Sequence, residues 1–212
     1  MNLPQKAEIQ RDGSVLWKHW EWIADVKAHQ YQSRQYVRGA IVLPVGVTIP
    51  GYVLAAGQSL INKELMVYYE HEFWQVAPAP PDENQRRDGA QPDIGLVHAL
   101  NNFANQIKCL TYFIIENKYS YNRFIQDIGR QKLLTTRPVV INVKGQDDED
   151  LENTIVKWAA AGKLKIPRES KLMQQLKNRT NSNRDNAAEC LKTLLSGYEK
   201  FPFHKVETIT LI

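Results

Sequence analysis

Eight cations crowd the C-terminal third of the chain: Lys157, Lys163, Lys165, Arg168, Lys171, Lys177, Arg179 and Arg184 fall within 28 residues. From Lys157 to Lys205 there are eleven Lys and Arg against four Asp and Glu, whereas the chain of 212 residues holds 27 against 23. Ammonium and guanidinium groups neutralise phosphates and release counterions, and the interleaved amides of Asn178, Asn181, Asn183 and Asn186 can reach base edges or sugar hydroxyls. The pattern predicts a basic patch that binds nucleic acid through those eight residues. Tyr119, Tyr121 and Phe124, with Arg123 among them, are the stacking candidates, because bases lie well on aromatic faces. The cluster of Trp17, Trp20 and Trp22 around His19 reads instead as ordinary burial of large side chains.

Other chemistries find little support. No Gly-rich loop ends in Gly-Lys-Ser/Thr and no dinucleotide fingerprint is present, which argues against an NTPase or a nicotinamide enzyme. The histidines at 19, 29, 71, 98 and 204 form no pair at metal-ligand spacing. His71, between Glu70 and Glu72, comes nearest to a site; read as helical, those neighbours diverge and His71 is a surface residue. Cys109 and Cys190 are far apart and are expected as reduced thiols inside helices, and Ser59 lies outside any Gly-x-Ser-x-Gly elbow. The run Asp147, Asp148, Glu149 and Asp150 is explained by capping a helix start, where acids complement the macrodipole.

One pattern does pair acids with a basic residue. Pro92-Asp93, followed later by Ile141-Asn142-Val143-Lys144, resembles the PD-(D/E)xK nucleases, with Asn142 standing where the second acid belongs. The resemblance implies a divalent metal, with Asp93 as an oxygen ligand and Lys144 orienting the attacking water. Asp25-Val26-Lys27 offers another acid-x-Lys.

These residues need elements to hold them. Ala40 to Leu54 is rich in Val and Ile and punctuated by Pro44, Gly46, Pro50 and Gly51, which predicts short strands with turns. Leu65, Tyr69, Phe73 and Val76 recur at helical intervals and predict one helix over 62–76. Residues 77–92, with four prolines, predict a linker or exposed loop between an N-terminal α+β segment at 1–76 and a C-terminal α/β segment at 93–212. Leu96, Leu100, Phe103, Ile107, Leu110 and Ile114 form a stripe that predicts a long central helix from Asp93 to about Lys118. Beyond it the sequence predicts a strand at 137–143 and a helix closed by Gly162. An extended piece at 163–166, a helix at 170–178, a helix at 185–196 stopped by Gly197 and a strand at 205–212 complete the order.

Together these features predict an α+β fold, with α/β as the variant. With 43% hydrophobic residues the chain can bury a core; no run approaches the roughly 18 apolar residues of a membrane span, and the start lacks a secretory signal. The function expected is a non-catalytic, cytoplasmic nucleic-acid-binding subunit of a nucleoprotein assembly. It would contact DNA or RNA and protein partners, touch no membrane and need no metal or other cofactor. The alternatives are a nuclease dependent on Mg²⁺ and a protein–protein scaffold.

Overall fold

In the computed structural model, the described residues are 7–12, 15–17, 21, 23–24, 36–44, 48–59, 62–74, 110–116, 138–141, 148–178 and 186–200. Strands β1 (Ala7–Ile9) and β2 (Val15–Trp17) form a small antiparallel ribbon. The main sheet comprises β3 (Tyr36–Val42), β4 (Gly51–Gln58), β5 (Leu65–Phe73), β6 (Leu110–Glu116), β7 (Pro138–Ile141) and β8 (Leu164–Lys165). Their spatial order is β7-β6-β3-β4-β5-β8. The hairpins β3–β4 and β4–β5 are antiparallel, whereas β6 runs parallel to β3, β7 to β6 and β8 to β5. Three helices among the described residues complete the fold: α1 (Asp148–Ala160), α2 (Lys171–Lys177) and α3 (Asn186–Lys200).

The central strand β4, GYVLAAGQ, is buried along its whole length. Its small and β-branched residues suit a strand covered on both faces, where alternation disappears. On one face, Ala40, Val42, Tyr52, Leu54, Ala56 and Ile114 pack against Ala187, Cys190, Leu191 and Leu194 of α3 and Ile155 and Ala159 of α1. The opposite face is buried too, through Val37, Ile41, Val53, Ala55 and Met66.

Three devices lock α3 onto the sheet. Asn186 donates from Nδ2 to Pro50 O at 2.5 Å and Leu43 O at 3.5 Å, Cys190 Sγ lies 3.2 Å from Ala40 O, and Tyr198 OH donates to Ala56 O at 2.6 Å. Beneath the last turn, buried Arg38 lies 4.7 Å from the Tyr198 ring centroid, a cation–π contact. Gly197 lets the helix press on β6, since a Cβ there would collide with Cδ1 of Ile114.

Three expectations about elements change. Residues 65–73 are strand β5 and not part of a helix, and residues 110–116 are strand β6, so the helix expected to run to Lys118 does not cover them. The helix expected to stop at Gly197 continues to Lys200, because that glycine serves close packing and not termination. The later elements follow the expectation closely: Pro138–Ile141 is a strand, α1 ends before Gly162 at φ +65°, and Ser170 Oγ caps α2 by accepting from Met173 N at 3.0 Å. The α+β class is correct, with strands from both sides of residues 77–92 joined in one sheet. Residues 77–92 and 205–212 lie outside the described residues.

Candidate active-site crevice

Strand β3 is where the sheet changes character, antiparallel to β4 on one side and parallel to β6 on the other. In open sheets of this kind ligands bind beyond the carboxyl ends of the strands at such a reversal point. Here that edge is formed by the ends of β3 and β7 and by Glu116, the last residue of β6, which is paired with Ile141. Position 116 lies two residues beyond Ile114, hence on the same side of the pleat, the side covered by α3.

Two helices begin at this edge. The hydrogen bonds of Asn186 to Leu43 O and Pro50 O fix the head of α3 over the connection from β3 to β4. Helix α1 links β7 to β8, two strands of the same direction, so it must run back along the sheet and starts at the edge where β7 ends. Its first three residues are Asp148, Glu149 and Asp150. The crevice thus brings together backbone positions of one strand-end carboxylate, an acidic helix head and the buried amide of Asn186. Among the described residues no three His, Cys, Asp or Glu side chains gather closely enough to hold a metal ion.

The expected binding residues lie elsewhere. Leu65 N donates to Lys163 O at 2.7 Å, which sets Lys163 beside the start of β5, the opposite end of the sheet from Leu43. Lys157 pairs with Glu199 at 2.8 Å, Lys165 with Glu64 at 2.7 Å, and Lys171 with Glu72. Arg168 is exposed and Lys177 half-buried near the end of α2. The structure therefore spreads these cations along the β8 border and gives three of them carboxylate partners. Arg179, Arg184, Tyr119, Tyr121, Phe124, Asp93 and Lys144 lie outside the described residues.

The Glu70-His71-Glu72 triplet takes a different form from the helical reading. In β5, alternate residues share a face, so Glu70 and Glu72 act together toward α2. Glu70 accepts from Lys171 N at 2.6 Å, Leu172 N at 2.8 Å and Tyr52 OH at 2.6 Å, and Glu72 accepts from Gln175 Nε2 at 3.4 Å. These carboxylates clamp a helix to the sheet. Burial, the Glu70 hydrogen bond and its charge all push the Tyr52 hydroxyl above the ordinary tyrosine range.

Glu116 did not emerge as a candidate from the sequence because it falls within the stretch read as a helix. The signal available was a β-branched and aromatic run, YFII, ending abruptly in an acid. Asn186 entered only as one of several amides; nothing local marks it as buried.

No protein-family model matches the sequence, and no curated protein matches it either. Solved structures do. The large terminase nuclease of thermophilic phage G20c with bound zinc aligns with a TM-score of 0.51 at 10% identity, over 87% of this chain and 97% of that one. The nuclease domain of the bacteriophage SPP1 large terminase with bound manganese gives 0.53 at 9% identity, over 84% and 94%. The manganese-soaked, inhibitor-bound terminase nuclease domain of human cytomegalovirus gives 0.52 at 12%, over 91% and 98%. At such low identities the superpositions show a shared fold alone. They also overturn two expectations: the fold is one carried by nucleases, against a non-catalytic protein, and its solved examples hold zinc, manganese or, in a further G20c structure, cobalt, against the absence of any cofactor.

Proposed function

We propose that this chain is a divalent-metal-dependent nuclease domain that cuts DNA at the crevice where β3, β6 and β7 end. The observation that carries the reading is the near-complete overlap with terminase nuclease domains, joined to a carboxylate position at the end of β6. A hard cation takes oxygen ligands, and carboxylates are its usual protein donors. Glu116 and the acidic head of α1 supply that donor type on one edge, and would be the residues to hold the ion. The donors among the described residues do not close a metal site by themselves. When bound, such an ion polarises a phosphoryl oxygen and lowers the pKa of a coordinated water.

What the chain's own residues contribute is placement. The start of α3 turns the positive end of its dipole toward the same edge, which favours a phosphate there. Asn186 holds that helix start against the strand connection without adding negative charge. We infer also that the domain works within a larger assembly, as the name of its structural neighbours, large terminase, suggests by analogy.

The test is cleavage of supercoiled plasmid DNA by the purified chain in Mg²⁺ or Mn²⁺. Nicked and linear products that vanish with EDTA are expected. Glu116→Gln should slow their appearance by about 100-fold or more, the loss typical of a group that stabilises transition-state charge. Absence of products with both ions, or cleavage that persists in Glu116→Gln and in EDTA, overturns the reading.

A further inference from the structure

A depression of about 260 Å³ opens at the other end of the sheet, lined by Gln58, Lys63, Lys157, Trp158, Lys163 and Glu199, with Ala161 at its side. Lys157 and the indole Nε1 of Trp158 both contact Glu199 Oε1, at 2.8 and 3.0 Å, so that carboxylate is occupied from two sides. Among the described residues, the ammonium groups of Lys63 and Lys163 have no carboxylate within ion-pair distance. The depression therefore carries an excess of positive charge beside a large aromatic ring.

Its construction is specific. Lys63 sits at φ +59°, in the left-handed region that a lysine rarely occupies. The turn from β4 to β5 holds it there: Lys63 N donates to Ser59 O at 3.1 Å, Lys63 O accepts from Gln58 Nε2 at 3.2 Å, and Glu64 N donates to Asn62 Oδ1 at 3.2 Å. Backbone strain of this kind persists where the surroundings impose it and often marks a ligand contact. Lys163 follows Gly162, whose φ of +65° turns the chain sharply after α1 and brings Lys163 to the same rim. Two separate left-handed turns thus set their lysines on the lining of the depression that Trp158 also borders.

We propose that this depression is a second nucleic-acid subsite, taking the phosphate of a nucleotide unit against Lys63 and Lys163 with its base on Trp158. The inference rests on the nuclease reading in one respect, since that reading makes DNA the natural source of such a unit. Aromatic stacking plus ammonium groups is the combination that retains a strand without sequence preference. The eight residues of β4 separate the depression from the crevice by about 26 Å.

The test measures binding in EDTA, so that cleavage plays no part, using dTMP, a 12-nucleotide oligonucleotide and a poly-glutamate peptide as probes. Tryptophan fluorescence and anisotropy across a salt series are the readouts. The oligonucleotide should bind, and Lys63→Gln/Lys163→Gln should weaken it about tenfold or more and lower the slope of log K against log salt by about one to two, at unchanged melting temperature. Trp158→Phe should remove most of the fluorescence change. Binding of dTMP as tight as that of the oligonucleotide supports the same chemistry with a free nucleotide as its source. Unchanged affinity and slope in the double variant, or capture of the acidic peptide with no binding of the oligonucleotide, overturns the proposal. A chain that binds in this way yet cuts no plasmid sinks only the nuclease reading; one that cuts plasmid while the lysine variants bind normally sinks only this inference.

Discussion

Asn186 and Glu70 show how much a polar side chain's role depends on what the fold sets against it. Asn186 is buried and its Nδ2 serves two carbonyl oxygens, those of Pro50 and Leu43, which otherwise lose a partner away from water. A carboxylate in its place would face both oxygens with no proton to donate. Asn186→Asp should therefore lower stability by about 2–4 kcal/mol at neutral pH, and the loss should shrink on acidification as the new carboxyl becomes protonated. Chemical denaturation of the variant and the wild type at pH 4 and pH 7 checks this; an equal loss at both would refute it. Glu70 illustrates the opposite case, an ionisable residue given three hydrogen-bond donors, which makes it structural although its neighbours His71 and Glu72 invite a catalytic reading. The ion pairs of Lys157 and Lys171 are largely exposed and contribute little to stability.

Strands β5 and β6 explain why apolar spacing misled. An interval of four is shared by a helix, as one turn plus a fraction, and by a strand, as two full alternations. Leu110 and Ile114 satisfy both, and so do Tyr69 and Phe73. In β5 a bulge intervenes as well: Ala55 pairs with Tyr69 but Ala56 with Val67, so the extra residue Tyr68 shifts the alternation and turns Glu70 and Glu72 to the face that Leu65 and Val67 occupy before it. Helix α3 depends on β6 in turn, through Gly197 and Ile114. Gly197→Val should cost about 2–3 kcal/mol, or roughly 5–10 °C in Tm for a chain of this size, because the helix must lift from the sheet that positions the crevice. Calorimetry of this variant should show the drop; a wild-type Tm would mean that Ile114 simply rotates aside.

For the molecule as a whole, burial of proton-bearing groups sets a limit at alkaline pH. Burial raises the Cys190 thiol and the Tyr52 hydroxyl well above the ordinary ranges of a free thiol and a free phenol, and pushes Tyr69 up to about 12. All three are raised in the folded chain, so the stability they confer is fully present below pH 9 and is lost as pH rises, because the unfolded chain releases protons that the native state retains. Stability should begin to fall near pH 9 and fall more steeply above pH 10. Urea midpoints from pH 7 to 11 test this, and a flat profile would contradict it. Among the described residues no helix is long and apolar enough to cross a membrane.

Local chemistry determined much of the second half of the chain. The acidic head of α1, Gly162 after its end, the Ser170 cap and the Pro138 strand are all set by neighbours within a few residues, and each was legible. The segregation of charge was legible as well, but not its direction in space: ion pairs such as Lys165–Glu64 join residues about a hundred positions apart, which no spacing rule can foresee. The crevice was hidden for the same reason. Glu116, Asn186 and the head of α1 come to one edge because three parallel strands and two returning helices carry them there. Only the order and direction of strands decides which chain segments share an end of the sheet, and that order is fixed by long-range burial and backbone pairing, not by the residues' immediate neighbours.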